Sequence, residues 1–172
     1  MRLLYTEEGT DQRLFDEIVK RTYPALKTLD MESFDAVLFT RPLKDYVEDD
    51  AKYLRRLEAY VNEHFHNVLI KKHPREDGHY HFSDNVKSTE ADNAIPAEVM
   101  LPYLKNKEIY IIGTSSILLY MKAFGLKSYI LNFTGIYEES ISGTSKFRPL
   151  SEKETAEFCD KFAGGCYEIV SL

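Results

Sequence analysis

The sequence has no tryptophan, only two cysteines and no excess of positive charge. Its formal net charge of −6 argues against a global basic surface for nucleic acid. No apolar run approaches the ~18 residues that span a membrane, and glutamates at positions 7 and 8 interrupt the N-terminal stretch too early for a signal peptide. Cys159 and Cys166 have no metal-ligand partners at suitable spacing. We therefore expect a cytoplasmic protein with reduced thiols, and peripheral membrane association stays open.

Several motifs of common enzyme classes are also missing. The chain has no Walker A sequence, no GxGxxG and no GxSxG. Two histidine pairs, His64-x-His66 and His79-x-His81, resemble zinc ligands in spacing, but one falls at a predicted helix end and the other in a polar loop, without cysteines nearby. We expect no bound metal and no cofactor.

Apolar runs and turn residues alternate along the 172 residues. Buried strands are predicted at residues 34–40, 67–72, 108–112 and 128–132, with shorter ones at 2–6 and 166–170. Helices are predicted at 11–21, from Asp49 or Asp50 to 64, and at 97–104, 117–124 and 151–162, while the polar stretch 75–93 is expected to be a mobile loop. This alternation indicates a single α/β domain over residues 1–172, an open parallel sheet with helices on both faces.

Polar clusters follow several of these strands, where ligands of such sheets bind. Gly113-Thr114-Ser115-Ser116 lies between a strand and a helix, so backbone N–H groups and two hydroxyls suit a phosphate. A plain serine helix cap explains the same residues. These two readings stay open on this motif alone.

A second cluster, Lys71-Lys72-His73-Pro74-Arg75, is cationic within an acidic protein. His73 ends a strand, and an imidazole there can bind a phosphate oxygen or give it a proton. Alternation along the strand predicts that only one of Lys71 and Lys72 points inward. A solvated basic turn is the alternative.

Acidic residues offer further candidates. Glu98, just after Pro96, can accept hydrogen bonds from ribose hydroxyls, or it is simply an acidic residue in the first turn of a helix. One carboxylate of Glu7-Glu8-Gly9 can act as a general base, with its neighbour raising its pKa. Asp45, Glu48, Asp49 and Asp50 form a second acidic cluster. An exposed turn and a helix N-terminus explain these two acidic groups equally well.

In order along the chain, Glu7-Glu8-Gly9, His73-Pro74 and Ser115-Ser116 resemble the acidic-acidic-Gly, HP and Ser-Ser/Thr motifs of bacterial sialyltransferases and polysialyltransferases. The sequence segments LIKKHPRE and IIGTSSILLYMKAFG are most similar to those of family 52 lipooligosaccharide sialyltransferases. The resemblance covers residues 67–135 well and the first 66 residues weakly. It implies a Rossmann-like domain of a GT-B glycosyltransferase, the C-terminal half that binds CMP-sialic acid.

The resemblance also implies roles for particular residues. His73 protonates or stabilises the leaving CMP phosphate, and Ser115 and Ser116 hold that phosphate, with Pro74, Lys72, Gly113 and Thr114 beside it. Glu98 binds the ribose. A carboxylate deprotonates the acceptor hydroxyl, which attacks the anomeric carbon with inversion, and no metal is required. If the base lies where family 52 enzymes carry it, before the HP strand, it is Asp45, Asp49 or Asp50. If it lies in the acidic-acidic-Gly motif, as in related sialyltransferases, it is Glu7.

The implied substrates are a nucleotide-sugar donor and a terminal sugar on a bacterial surface glycan, with no nucleic-acid partner. GT-B enzymes carry much of the acceptor site on a second domain. Residues 1–45 are therefore expected to be a remnant of that domain or a link to it, unless a homodimer completes the acceptor site. Two other functions stay open: a non-catalytic nucleotide-sugar-binding domain, and a GT-B transferase with another donor.

Overall fold

The computed structural model describes residues 12–45, 50–113, 115–132 and 151–172. Within these ranges, six strands form one sheet in the order β3-β2-β1-β4-β5-β6, and every neighbouring pair is parallel. The strands are β1 (Ala36–Phe39), β2 (Asn67–Lys71), β3 (Lys87–Glu90), β4 (Glu108–Ile112), β5 (Ser128–Asn132) and β6 (Tyr167–Ser171). This is the strand order of Rossmann-like domains, and it confirms the predicted α/β class.

Helices cover both faces of the sheet. They are α1 (Gln12–Thr22), α2 (Ala51–His64), α3 (Ala97–Met100), α4 (Leu118–Phe124) and α5 (Glu152–Ala163). The first, third, fourth and fifth contribute to the core on one face, and α2 contributes Tyr53, Leu57 and Val61 to the core on the other. No helix within the described ranges is long and apolar enough to cross a bilayer.

The central strands are apolar without alternation because both of their faces are covered. In β1, Val37 and Phe39 belong to the core under α4, whereas Ala36 and Leu38 belong to the core under α2. The same division separates Ile109 from Tyr110 in β4. Each of these side chains is at least nine-tenths buried, which fixes the register of the strands.

The predicted helix termini agree with the structure in part. Ser151 accepts a hydrogen bond from the Glu154 amide at 3.2 Å, and Glu154 accepts one from the Ser151 amide at 2.8 Å, so the predicted capping box starts α5. Asp50 is the N-cap residue of α2, but its side chain makes no capping hydrogen bond. The predicted strand at 2–6 lies outside the described residues.

The prediction of a loop over residues 75–93 was wrong for residues 87–90. This stretch contains β3, which pairs with β2 at the edge of the sheet. Tyr80 and Phe82 pack against the core under α2, with nearly parallel rings 6.1 Å apart. The sequence does not predict this strand, because an exposed edge strand with the sequence KSTE has no apolar pattern.

Candidate functional site

A cleft of about 430 Å³ opens at the carboxyl ends of the strands. Four stretches of chain line it: residues 39–40 at the end of β1, 71–74 at the end of β2, 93–98 after β3 and 115–117 after β4. Strands β1 and β4 are neighbours from which the chain continues in opposite directions across the sheet. Rossmann-like domains bind nucleotides at such a switch point, and the volume suits a small organic ligand.

His73 and Pro74 line this cleft together with Ser115 and Ser116, although some forty residues separate them in the chain. His73 is half-buried, and its Nδ1 accepts a hydrogen bond from the Arg75 amide at 3.2 Å. With Nδ1 acting as an acceptor, Nε2 carries the proton of the neutral ring. The ring can therefore donate a hydrogen bond through Nε2.

Ser115 and Ser116 lie in the turn before α4, not within its first turn. The helix begins at Leu118 with Ile117 as its N-cap, and the Ser115 hydroxyl accepts a long hydrogen bond of 3.4 Å from the Ile117 amide. Ser115 is half-buried and Ser116 exposed. Both hydroxyls can donate to an oxyanion in the cleft, because a hydroxyl that accepts one hydrogen bond keeps its own proton.

Lys71 and Lys72 are both buried, with 3% and 6% of their surfaces exposed, so the expectation that only one points inward was wrong. Their ammonium groups go to different partners. Lys72 pairs with Glu90 at 2.6 Å, whereas Lys71 donates to the Lys72 carbonyl at 3.1 Å and to Asn93 Oδ1 at 3.4 Å. Both lysines line the cleft, and so does Asn93. Lys71 was not among the residues predicted for the site.

Glu98 lies in the first turn of α3, is half-buried and lines the same cleft. Burial lowers the pKa of Lys71, while the negative charges of Asp92 and Glu98 oppose that shift. The residues that line the cleft thus include a carboxylate, two buried lysines, an imidazole and three hydroxyl side chains. Groups of these kinds can bind a phosphate and vicinal hydroxyls.

A model of the family described as alpha-2,8-polysialyltransferase (POLYST) matches residues 11–131. This match spans more than two thirds of the chain and includes His73, Glu98, Ser115 and Ser116. The chain belongs to this family. No curated protein and no solved structure matches it significantly. As a member of a sialyltransferase family, the protein is a glycosyltransferase that takes a nucleotide-sugar donor and a glycan acceptor.

Of the acidic candidates for the base, Asp50 is the one whose side chain lies within the described part of the chain, and it does not line the cleft. Asp50 lines a separate, small depression of about 30 Å³ on the α2 side of the sheet, shared with Arg41, Glu76 and Tyr80. Glu7, Asp49 and Thr114 lie outside the described residues, as does the side chain of Asp45. Among the described residues, therefore, the structure does not bring a predicted base together with His73.

A part-buried hydrogen-bond network that the sequence did not reveal lies beside this depression. Thr40 Oγ1 donates to Glu76 Oε2, and Tyr80 Oη donates to Glu76 Oε1. Burial raises the pKa of the Glu76 carboxyl, although the hydrogen bonds from Thr40 and Tyr80 oppose the shift. Thr40 could have been found as the residue that ends a buried strand, but Glu76 stands among charged residues that read as solvated.

Gly113 does not line the cleft but shapes the turn that leads to Ser115. Its φ is +61°, and its amide donates to the Leu131 carbonyl at 3.0 Å. A Cβ placed on it would come within 2.9 Å of Arg41 Nη1. Only glycine adopts this backbone conformation without strain.

Gly113→Ala is expected to lower the free energy of unfolding by about 1–2 kcal/mol, the strain of a left-handed residue with a Cβ. Urea denaturation measures the change. Gly78→Ala is the matched control, because its φ is not positive and no heavy atom lies within 4 Å of the added Cβ. Equal stability of the two variants would contradict the assigned role of Gly113.

Proposed function

We propose that the cleft binds CMP-sialic acid and that the protein transfers the sialic acid to a terminal sugar of a bacterial surface glycan, with inversion. The observation that supports this most strongly is the presence of His73, Glu98, Ser115 and Ser116 on one cleft at the switch point of the sheet. Family membership supplies the class of reaction. The identity of the donor, the inversion at the anomeric carbon and the identity of the acceptor sugar are proposed in addition to that class.

In this proposal the phosphate of CMP lies between His73 and the two serines. The Ser115 and Ser116 hydroxyls donate to its oxygens, and His73 Nε2 donates a proton to the phosphate oxygen as its bond to the anomeric carbon breaks. Lys71 adds a positive charge, and its attraction for the phosphate is stronger in a partly desolvated cleft than in water. These groups stabilise the leaving CMP without a metal ion.

The ribose hydroxyls bind Glu98 in this arrangement, because a carboxylate can accept hydrogen bonds from two vicinal hydroxyls. Glu98→Gln is expected to weaken CMP binding about 10- to 100-fold, the effect of losing a hydrogen bond to a charged group. Calorimetric titration with CMP and with 2′-deoxy-CMP measures it. The wild type should prefer CMP, and Glu98→Gln should lose most of that preference.

Glu63→Gln serves as the control for this prediction, since Glu63 is exposed on α2 and does not line the cleft. A Glu98→Gln protein that still discriminates between the two nucleotides as the wild type does would rule out the ribose contact.

The remaining parts of the proposal concern the acceptor side. A carboxylate removes the proton of the acceptor hydroxyl, with Asp45, Asp49, Asp50 and Glu7 as candidates. The acceptor is a sugar of a lipooligosaccharide or polysaccharide, which places the protein in the cytoplasm at the periphery of the inner membrane. We further propose the GT-B architecture of family 52, with this chain as its donor-binding half and the acceptor site completed by a second domain or by a second copy of the chain.

Calorimetric titration with CMP, UMP and GMP tests the donor. Preference for CMP is expected. Tighter binding of UMP or GMP would indicate a transferase with another donor, and no binding of CMP at millimolar concentration would refute the proposal. Binding of CMP without transfer or donor hydrolysis would instead indicate a non-catalytic nucleotide-sugar-binding domain.

A further inference from the structure

We infer that Glu76 is a positioning residue for His73, because its carboxylate holds the turn that carries the imidazole in one conformation. This inference rests on the proposed function, in which His73 gives its proton to the leaving phosphate. Glu76 itself neither gives nor takes a proton in the reaction. The carboxylate that deprotonates the acceptor therefore stays among the candidates named above.

The imidazole belongs to a tight turn formed by residues 73–76, just after β2. The Glu76 amide donates to the His73 carbonyl at 2.9 Å, which closes the turn, and the ring of Pro74 restricts the backbone at its second position. The Arg75 amide donates to His73 Nδ1 at 3.2 Å. The imidazole is thus held by the backbone of its own turn, so its orientation depends on what keeps that turn in place.

The side chain of Glu76 anchors the turn to other parts of the fold. Thr40 Oγ1 donates to Glu76 Oε2, and Tyr80 Oη donates to Glu76 Oε1. A backbone hydrogen bond from His73 also reaches the Glu76 carboxyl. Glu76 therefore contacts His73 through both its amide and its side chain, while its carboxylate is bound by two hydroxyls from outside the turn.

Both hydroxyl partners of Glu76 have fixed positions of their own. Thr40 directly follows β1, is buried, and donates from its amide to the Lys71 carbonyl at 3.1 Å. Tyr80 packs against the core under α2, where its ring stacks with that of Phe82. Hydrogen-bond networks whose members are satisfied in this way are rigid, so they define one position for the Glu76 carboxylate.

Lys72 stabilises the negative charge of Glu76. Burial raises the pKa of the Glu76 carboxyl, whereas its hydrogen bonds and the positive charge of Lys72 lower it. Lys72 also pairs with Glu90 at the end of β3, and its ammonium lies 5.9 Å from the centre of the Tyr80 ring. Through these contacts the ends of β1, β2 and β3 are connected to the turn that carries His73.

The consequence for the reaction concerns the tautomer of the imidazole. As long as the Arg75 amide donates to Nδ1, the neutral ring carries its proton on Nε2, the atom that donates to the phosphate in the proposed function. Without the Glu76 anchor, the turn is free to move and the ring samples both tautomers. A displacement of about 1 Å at a reacting group lowers rates about 10²-fold.

Nitrogen NMR shifts of the His73 ring measure the tautomer directly in the free protein, at about pH 8, where an ordinary imidazole is neutral. The wild type should show Nδ1 without a proton and Nε2 with one. Glu76→Ala should show shifts averaged between the two tautomers. Glu76→Gln should keep the wild-type pattern, because its amide oxygen accepts from one hydroxyl and its amide nitrogen donates to the other.

Asp77→Ala is the matched control for these variants. Asp77 is the next carboxylate along the chain, but it is exposed and pairs with Lys44 at 2.7 Å. Its removal should leave the shifts of the His73 ring and the rate of transfer unchanged.

Transfer kinetics give a second readout. Glu76→Ala should lower kcat for sialic acid transfer about 10²-fold, because the proton donor is misplaced. The affinity for CMP should fall much less, since Ser115, Ser116 and Glu98 also line the cleft. Glu76→Gln should restore most of the rate.

A double variant separates positioning from general damage to the cleft. His73→Ala/Glu76→Ala should be no slower than His73→Ala, since Glu76 acts through His73. Tyr80→Phe removes one hydrogen bond from the Glu76 carboxylate and should give smaller changes of the same kind in the ring shifts and in kcat. Thermal melting verifies that each variant is folded, and Tyr80→Phe takes the place of Glu76→Ala if the latter does not fold.

The outcomes separate this inference from the proposed function. A wild type that neither binds CMP nor transfers sialic acid would refute the proposed function, whereas the ring shifts would still decide whether Glu76 sets the tautomer. Folded Glu76→Ala and Tyr80→Phe proteins with the ring shifts of the wild type would overturn the role of Glu76 alone. A double variant slower than His73→Ala would overturn it as well.

Discussion

Replacing His73 with alanine is expected to lower kcat for sialic acid transfer by about 10²- to 10⁴-fold, the contribution of a positioned general acid. The affinity for CMP should fall much less, because Ser115, Ser116 and Glu98 still line the cleft. The physical reason is that the imidazole proton matters most when the phosphate leaves and develops charge. Transfer kinetics and calorimetric titration with CMP measure the two effects separately.

The control for this substitution is His79→Ala. His79 is exposed and does not line the cleft, so its loss should leave both kcat and CMP affinity unchanged. Equal losses of rate and affinity in His73→Ala would assign the imidazole to binding rather than to proton transfer.

The double substitution Ser115→Ala/Ser116→Ala is expected to weaken CMP binding by about 1.5–3 kcal/mol for each hydrogen bond lost to the charged phosphate. Cytidine, which has no phosphate, should bind the variant and the wild type equally well. This difference isolates the phosphate contact from any general damage to the cleft. Calorimetric titration with the two ligands gives the comparison.

Ser83→Ala is the matched control for the serine pair. Ser83 is exposed and precedes β3, so it lies toward the amino ends of the strands, whereas the cleft lies at their carboxyl ends. If the double variant lost affinity for cytidine and CMP in equal proportion, the two hydroxyls would have no special relation to the phosphate.

The general form of the sheet could be predicted because its central strands are buried on both faces. The apolar run of β1 and the run of β4 need no tertiary information to be recognised as strands. Once the strands are parallel, their carboxyl ends must share one edge. The meeting of His73 with Ser115 and Ser116 on one cleft follows from that topology, even though their roles remain a proposal.

Features that depend on partners distant in sequence could not be predicted. The strand β3 carries no apolar pattern because it lies at an exposed edge. The separation of Lys71 from Lys72 depends on Asn93 and Glu90, which are some twenty residues away. Glu76 looks like one more charge in a polar segment until Thr40 is seen to donate a hydrogen bond to it.

Assigned amide spectra of the protein, recorded during titration with CMP, test the location of the nucleotide site most directly. We expect saturable shifts confined to the residues with an amide proton in the stretches that line the cleft, namely 39–40, 71–73, 93–95, 97–98 and 115–117. A further depression of about 250 Å³ is lined by Lys20, Lys27 and Tyr103, and shifts centred on it would contradict the assignment. Spectra unchanged at millimolar CMP would contradict it too.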